Sequence, residues 1–283
     1  MSKFLTFSPM IDKSEMHRHL HKLSYSLKHE VSVYNSNGSY YRSSLIGCNT
    51  SRDHGLLVYC PDNSNQNKIV LLSSVAESIL FNRCEYNLDV YGKKNSNIKE
   101  RLAYLKEVSF DPLPKAVYCM GPVMFEKEIL LQPHHNALMI KYTLNEAGGP
   151  VKFRLKPRIA CREAYKLQKA SPECKIAIER VPNGIFIRRN LLVPDLFLQF
   201  SVPVSFNLAE NWEYDVNYPY DLLSRQNECL EDLFIPGSFD FILEENQSVI
   251  LSASIYQMNP SRILPSFLKG FRDRKKNHAV SVE

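Results

Sequence analysis

The chain has 283 residues, of which 44% are hydrophobic and 23% charged, and its formal net charge is +5. This composition is ordinary for a globular protein, and the length allows one large core or two modest ones. No apolar run approaches the roughly 20 residues of a membrane-spanning helix, and the first residues lack the apolar segment of a secretory signal. Much of the positive charge lies near the C-terminus and not in a basic, aromatic stripe, which argues against nucleic-acid binding. We therefore expect a cytoplasmic protein without nucleic-acid or membrane partners.

Cysteines and histidines give no pattern typical of a disulfide framework or a metal site. The seven cysteines are irregularly spaced, their number is odd, and no Cys-x-x-Cys pair occurs. His17 and His21 lie four residues apart and share a face of a predicted helix, but no nearby cysteine or aspartate completes a zinc ligand set. The same holds for His134 and His135, where we also expect no bound metal. We expect reduced cysteines, no metal and no cofactor.

The first predicted element is a helix over residues 12–29. Its apolar residues recur at helical spacing, and they are Met16, Leu20, Leu23 and Leu27. Asp12 and Glu15 have the spacing of a capping box at its first turn. We expect residues 1–29 to form a helical arm ahead of the main domain.

Short strands are predicted from residue 30 to about residue 256. They are apolar or alternating runs separated by turn residues, among them Val31 to Tyr34, Leu56 to Tyr59, Tyr86 to Tyr91, Val123 to Leu131, Val151 to Pro157 and Val249 to Ile255. A dozen or more such strands with few helices predict an all-β fold, an antiparallel sandwich of two sheets. Residues 257–283 are predicted to be a basic tail, a short polar helix or a truncated linker.

A polar loop precedes the strand that begins at Gly55. Asn49, Arg52 and His54 suit sugar hydroxyls, because asparagine both donates and accepts and arginine offers a planar fork. The competing interpretation is that these side chains tie the loop to the next strand, since buried polar groups usually find protein partners.

Two other groups have a possible role with sugars and a more common structural one. Glu126 and Glu128 are paired carboxylates of the kind that glycosidases use, but such spacing is common on strands and no third site element accompanies them. Trp212 lies in a stretch with three tyrosines that suits either a sugar platform or aromatic core packing. We assign no catalytic role to either group.

The runs at residues 47–58, 110–114 and 231–237, in that order, resemble the N-terminal domain of glycogen debranching enzymes of the bacterial and archaeal type. The first run resembles that family's Asn-Thr-Arg-x-Tyr-His-Gly-Leu-Leu, with Ser51 in place of an arginine and Asp53 in place of the tyrosine. Residues 156–162 resemble Arg-Pro-x-x-Ala-x-Arg. Residues 231–237 match Glu-Asp-Leu-x-x-Pro-Gly, and Gly237 suits a left-handed turn position.

The resemblance implies a supersandwich like that of galactose mutarotase and of bacterial glucoamylase N-terminal domains, over residues 30–256. The family's activity is amylo-α-1,6-glucosidase, and its catalytic carboxylates lie on a following (α/α)6 barrel, so no catalytic residue is carried over to this chain. We expect a non-catalytic α-glucan-associated domain that docks with a barrel encoded separately or lost. Its candidate glucan or partner-domain contacts are Asn49, Arg52, His54, Glu77, Arg162, Glu231 and Asp232.

Two other functions stay open. A stand-alone mutarotase-like enzyme needs a histidine acid and a glutamate base, for which His54 with Glu77 or Glu231 is the candidate pairing. The other is a degenerate scaffold, a former domain kept for protein–protein contact, because glycine and aromatic positions of the family pattern are altered in this sequence. Glu231 and Asp232 either pair internally, for example with Arg52, or face a partner domain.

Overall fold

The computed structural model describes residues 5–8, 18–61, 67–89, 98–189, 193–223 and 229–280. Within these ranges the chain forms seventeen strands. The strands are β1 (Leu5–Ser8), β2 (Glu30–Tyr34), β3 (Tyr40–Ser44), β4 (Gly55–Tyr59), β5 (Ile69–Phe81), β6 (Cys84–Asn87), β7 (Leu105–Ser109), β8 (Lys115–Met120), β9 (Val123–Leu131), β10 (Ala137–Glu146), β11 (Val151–Glu163), β12 (Ala177–Val181), β13 (Gly184–Arg188), β14 (Leu196–Phe200), β15 (Ser205–Asn217), β16 (Leu230–Leu243) and β17 (Ser248–Ser254). The helices are α1 (Leu23–Lys28), α2 (Ile98–Tyr104), α3 (Pro219–Leu223) and α4 (Pro260–Val280).

The strands form two antiparallel sheets. The larger sheet has the order β1-β2-β3-β4-β5-β11-β16-β15, and β6 pairs with β5 beside that path. The smaller sheet has the order β12-β13-β14-β17-β10-β9-β8-β7. Its last strand in sequence, β17, lies near the middle, between β14 and β10. The predicted all-β sandwich of two antiparallel sheets is confirmed.

The main core lies between the two sheets and is rich in aromatic rings. Phe153 of the larger sheet stacks on Phe241 of the same sheet, with ring centroids 5.3 Å apart, and meets Phe125 of the smaller sheet edge-on at 5.3 Å. Tyr142 also contacts this group. Such aromatic pairs add about 0.5–1.5 kcal/mol beyond the burial of their surface area, so they help to hold the two sheets together.

A second, smaller core covers the opposite face of the larger sheet. Val58 and Val70 belong to it, whereas their chain neighbours Leu57 and Leu71 point into the main core, as the alternation of side chains along a strand requires. Tyr218, just before α3, is fully buried in this cluster. The face therefore has a covering layer, and most of the candidate site residues lie in it.

Helix α4 packs on the outer face of the smaller sheet. Ile263 and Phe267, one helical turn apart, are buried against Leu130 and neighbouring residues. Further along, Arg274 donates from Nη2 to the carbonyls of Tyr34 at 3.0 Å and Leu131 at 3.1 Å. The predicted polar tail is thus a 21-residue helix with a buried side.

The remaining predictions agree with the structure to different degrees. The predicted helix over residues 12–29 is described only from residue 18, and its regular part there is α1, with Leu20 buried; Met16 and His17 lie outside the described residues. Strand β6 covers the first part of the predicted run from Tyr86 to Tyr91, and the run's last residues are not described. The elements that were not predicted are β1, β3, β7, β8, β12, β15, α2 and α3. Strand β1 lies within residues 1–29, which were expected to form a helical arm, and it pairs with β2.

Candidate functional site

The polar loop between β3 and β4 is closed by its own side chains. Asn49 is buried and donates from Nδ2 to the Ser73 carbonyl at 3.0 Å and to its hydroxyl at 3.2 Å. The backbone N–H of Thr50 donates to Nδ1 of His54 at 3.2 Å. Asn49 therefore ties the loop to β5, and His54 fixes its shape from within.

Arg52 joins this loop to α3. Its Nε donates to Asp221 at 2.8 Å, and its backbone N–H reaches the same carboxylate at 3.2 Å. Ser51 donates its hydroxyl to Asp221 at 2.7 Å, and Arg52 Nη1 donates to the carbonyl of Tyr165 at 3.2 Å. Arg52 thus pairs with Asp221 and not with Glu231 or Asp232, which were the partners suggested from the sequence.

Below the loop, Arg162 and Glu231 form a buried ion pair. Arg162 binds the Glu231 carboxylate through both Nε and Nη2, the latter at 2.7 Å, while the Tyr218 hydroxyl donates to it at 2.6 Å. Arg162 also donates to the Arg52 carbonyl at 2.9 Å. Burial opposes the charged form of Arg162, but the hydrogen bond and charge of Glu231 outweigh it and raise the pKa of the guanidinium.

Asp232, the neighbour of Glu231, holds the segment after β11. Its carboxylate accepts backbone N–H bonds from Ala170 at 2.9 Å and Asp215 at 3.0 Å, and Lys169 lies 3.3 Å away. Burial favours the neutral acid, but these hydrogen bonds together outweigh it and lower the pKa of Asp232. Asp232 is therefore a fixed anion that anchors the segment after β11 and the irregular part of β15 around Asp215.

The base of the loop carries a further network centred on Glu30. Its carboxylate accepts two hydrogen bonds from Arg42, at 2.7 and 3.1 Å, and lies 3.1 Å from Nε2 of His54. Arg42 also binds Asp53 at 2.8 Å. Burial would raise the pKa of Glu30, but the hydrogen bonds and charges of His54 and Arg42 outweigh burial and lower it to about 2.

We expect Glu30 to contribute stability that is lost in acid. Its pKa is lower in the folded state, so this contribution is full above the unfolded value of 4.5 and disappears as the pH falls toward about 2. Replacing Glu30 by glutamine should flatten the fall in unfolding free energy between pH 5 and pH 2, relative to the unmodified protein. Urea unfolding at a series of pH values measures this, and an unchanged acid slope would contradict it.

Glu77 lies elsewhere, facing the space between the sheets. Its Oε1 accepts a hydrogen bond from the Tyr142 hydroxyl at 2.6 Å and lies 2.6 Å from the Lys127 ammonium. Glu77 and Lys127 line a cleft of about 60 Å³ at one side of the sandwich. The structure therefore divides the seven candidate residues into a network around the polar loop and one carboxylate at this separate cleft.

The paired carboxylates on β9 point away from this cleft. Glu126 binds Lys115 at 3.1 Å and Glu128 binds Lys141 at 3.0 Å, so each has its own cation. The pairing considered for a mutarotase is also not formed: no hydrogen bond joins His54 to Glu77 or Glu231 in the described part of the chain. Both observations favour structural roles for these acids.

The other sequence candidates have local contacts. Trp212 is half-buried and meets Phe234 edge-on, with ring centroids 5.4 Å apart. Among the described residues no cluster of three metal-ligating side chains occurs, and no described helix has the length and hydropathy to span a membrane. All seven cysteines are free thiols, and burial raises the pKa of Cys48 and Cys161 to about 12.

Sequence reasoning missed several partners of the candidate residues. Asp221 lies 169 positions from Arg52, Glu30 lies 24 positions before His54, and Lys127 lies 50 positions after Glu77. No local spacing signals such pairs, because strand order alone brings them together. Tyr218 belonged to the aromatic stretch noted above, but its partner Glu231 was not predicted.

The model of the family described as glycogen debranching enzyme N terminal matches residues 29–250. A solved bacterial glucoamylase complexed with acarbose aligns with 88% of the chain at 10% sequence identity and a TM-score of 0.45. The alignment covers 35% of the glucoamylase, so the chain spans about a third of that protein's length. No curated protein is significantly similar. Because the family match extends over most of the sequence, the chain belongs to the glycogen debranching enzyme N-terminal family.

Proposed function

We propose that this protein is a non-catalytic, α-glucan-associated domain of a glycogen debranching system. In this role it docks with an (α/α)6 barrel that carries the α-1,6-glucosidase activity and shapes the glucan cleft of that barrel. The observation that carries the proposal is the match of residues 29–250 to the N-terminal domain of the debranching enzymes. We place the protein in the cytoplasm, where glycogen is stored.

The charge pairing around the polar loop supports a docking or binding role. Arg52, Arg162, Glu231 and Asp232 each have internal partners, so they give the loop a fixed shape and leave no pair of free carboxylates for acid-base chemistry. A rigid surface binds with a lower entropic cost than a mobile one. These residues thus act on a glucan or a partner domain mainly by holding the surface above them.

Tyr165 is the most suitable side chain for direct glucan contact at this surface. It is 55% exposed, and its backbone carbonyl accepts the hydrogen bond from Arg52. An exposed aromatic ring offers a stacking face to one sugar, and the hydrogen bond from Arg52 fixes the backbone that carries this ring. Tyr165 lies two residues after the end of β11, and Arg162 donates to the carbonyl of the intervening Ala164 at 3.1 Å.

Isothermal calorimetry with glycogen and with maltoheptaose tests the glucan part of the proposal. We expect binding by the unmodified protein and a threefold to tenfold loss, roughly one stacking contact, in the Tyr165→Ala variant. Tyr256→Ala is the matched control, because Tyr256 is also exposed but lies after β17, on another part of the molecule.

Co-purification with a separately expressed (α/α)6 glucosidase barrel tests the docking part. We expect a stable complex and a changed rate of limit-dextrin hydrolysis by the barrel. A protein that binds neither the glucan nor the barrel would contradict the proposal. Release of glucose from limit dextrin by the purified protein alone would overturn its non-catalytic assignment.

A further inference from the structure

Helix α4 carries the net charge of the whole chain. It contains six arginines and lysines and one aspartate, a net charge of +5, which equals that of the full sequence. One of the six, Arg274, is buried, and the other five are exposed, namely Arg262, Lys269, Arg272, Lys275 and Lys276. None of these five forms an ion pair with a described residue. The outer side of α4 is therefore a row of uncompensated cations.

The same helix exposes two apolar side chains. Leu264 is 46% and Leu268 49% exposed, and the two lie one helical turn apart. They flank the buried side of the helix, which contains Ile263 and Phe267. Arg272 lies one further turn along the same line. The free flank of α4 thus has an apolar first half and a cationic second half.

Strand β15, at the edge of the larger sheet, has the complementary properties. Its 13 residues include Glu210, Glu213 and Asp215 but no lysine or arginine. Leu208 is 59% and Tyr214 49% exposed. This edge is therefore both acidic and partly apolar.

Neighbouring cations do not neutralise the acids of β15. Glu210 forms no ion pair with a described residue. Each cation that binds an acid of the strand is shared with a second carboxylate, in the groups Asp89–Arg158–Glu213 and Asp215–Lys169–Asp232. Arg180 binds the strand near its start, at the Phe206 carbonyl, before the first acid. An excess of negative charge therefore remains along the second half of β15.

The two surfaces lie too far apart to meet within one molecule. Helix α4 crosses the outer face of the smaller sheet and contacts β9, β14 and β17, whereas β15 is an edge of the larger sheet. Their lengths are similar, since residues 264–275 span about 17 Å of helix and residues 208–215 about 23 Å of strand. Opposite charges on facing surfaces favour association. Two leucines are a smaller apolar face than a membrane-surface helix buries, which favours a protein partner.

We propose that α4 of one molecule binds along β15 of a second copy of this chain. The leucines of the helix pack against Leu208 and Tyr214, and its cations lie beside Glu210. Because different surfaces of the two copies meet, the contact is heterologous, and its repetition gives rings or linear assemblies. This inference does not depend on the proposed function.

Analytical ultracentrifugation of the full chain tests this proposal. We expect the average mass to rise with protein concentration in about 50 mM salt and to return to the monomer in about 500 mM salt, because salt screens exposed charges. Lys269→Glu combined with Arg272→Glu, and separately Glu210→Lys, should each weaken self-association about tenfold or more. Arg83→Glu combined with Lys106→Glu is the matched control, since both cations are exposed but lie at the β5–β6 turn and on β7; it should associate like the unmodified protein.

Mixing the variants separates loss of contact from loss of folding. Each variant alone lacks one of the two surfaces, but α4 of the Glu210→Lys variant still fits β15 of the helix variant. An equal mixture should therefore form a complex with one copy of each, and each variant should unfold cooperatively on heating because the substituted side chains are exposed. A monomer at every concentration, equal association by the helix variant and the unmodified protein, or a mixture that stays monomeric would overturn the proposal. A monomer whose α4 instead binds anionic vesicles or the glucosidase barrel would also overturn it.

Discussion

Replacing Glu231 by glutamine should destabilise the fold by about 3–5 kcal/mol, the typical effect of removing one partner of a buried ion pair. The glutamine keeps the shape of the side chain but leaves the buried Arg162 guanidinium without its counter-charge. Tyr218, which donates to the same carboxylate, also loses a charged acceptor. Equilibrium unfolding in urea measures the change, seen as a lower midpoint at an unchanged slope.

Two further variants show whether the lost charge balance is the cause. Glu163→Gln is the control, because its pair with Lys166 is exposed and adjacent in sequence, and exposed pairs contribute little. Combining Arg162→Met with Glu231→Leu should recover part of the lost stability, since neither charge then remains buried alone. A double variant less stable than Glu231→Gln would show that hydrogen bonds to the loop, and not the charge, dominate.

Replacing Gly237 by alanine should cost about 2–5 kcal/mol, the sum of backbone strain and overpacking. Gly237 has φ +146°, and a Cβ atom there would lie 2.1 Å from the Asn207 carbonyl oxygen. Because that oxygen belongs to the neighbouring strand β15, the clash is relieved only by separating the two strands. Urea unfolding again gives the magnitude, and hydrogen exchange should show faster opening of β15.

Gly148→Ala is the matched control for this prediction. A Cβ atom at Gly148 meets only the edge of the Phe81 ring, at 4.0 Å, so we expect a change near zero or a slight gain from the stiffer unfolded chain. Similar losses in both glycine variants would mean that the strand contact at Gly237 is not the determining factor.

The core strands were predictable because their burial follows their sequence pattern. In β11 the apolar residues Val151, Phe153 and Leu155 alternate with charged ones, and the structure buries all three. Strand β15 was not predictable in this way, since it is an edge strand with most side chains exposed on both faces. Without a buried face, a strand has no alternation of apolar and polar residues to detect.

The sequence predicted which residues belong to the site, but it did not predict which of them contact each other. The family motifs pointed to Arg162 and Glu231, but their contact joins strands 69 positions apart. Gly237 was expected at a turn and lies inside β16, where its backbone is needed at a register irregularity against β15. The helix at the C-terminus was expected to be polar because its few apolar residues are spread among many charged ones.

The central position of β17 has a consequence for biosynthesis. This strand joins β14 to β10, so the two halves of the smaller sheet remain apart until the ribosome has made residue 254. During that interval β10 and β14 each present an unpaired edge, the feature through which strands of different nascent chains associate. Chaperone capture of the growing polypeptide is therefore most valuable until β17 has been made and has paired with both strands.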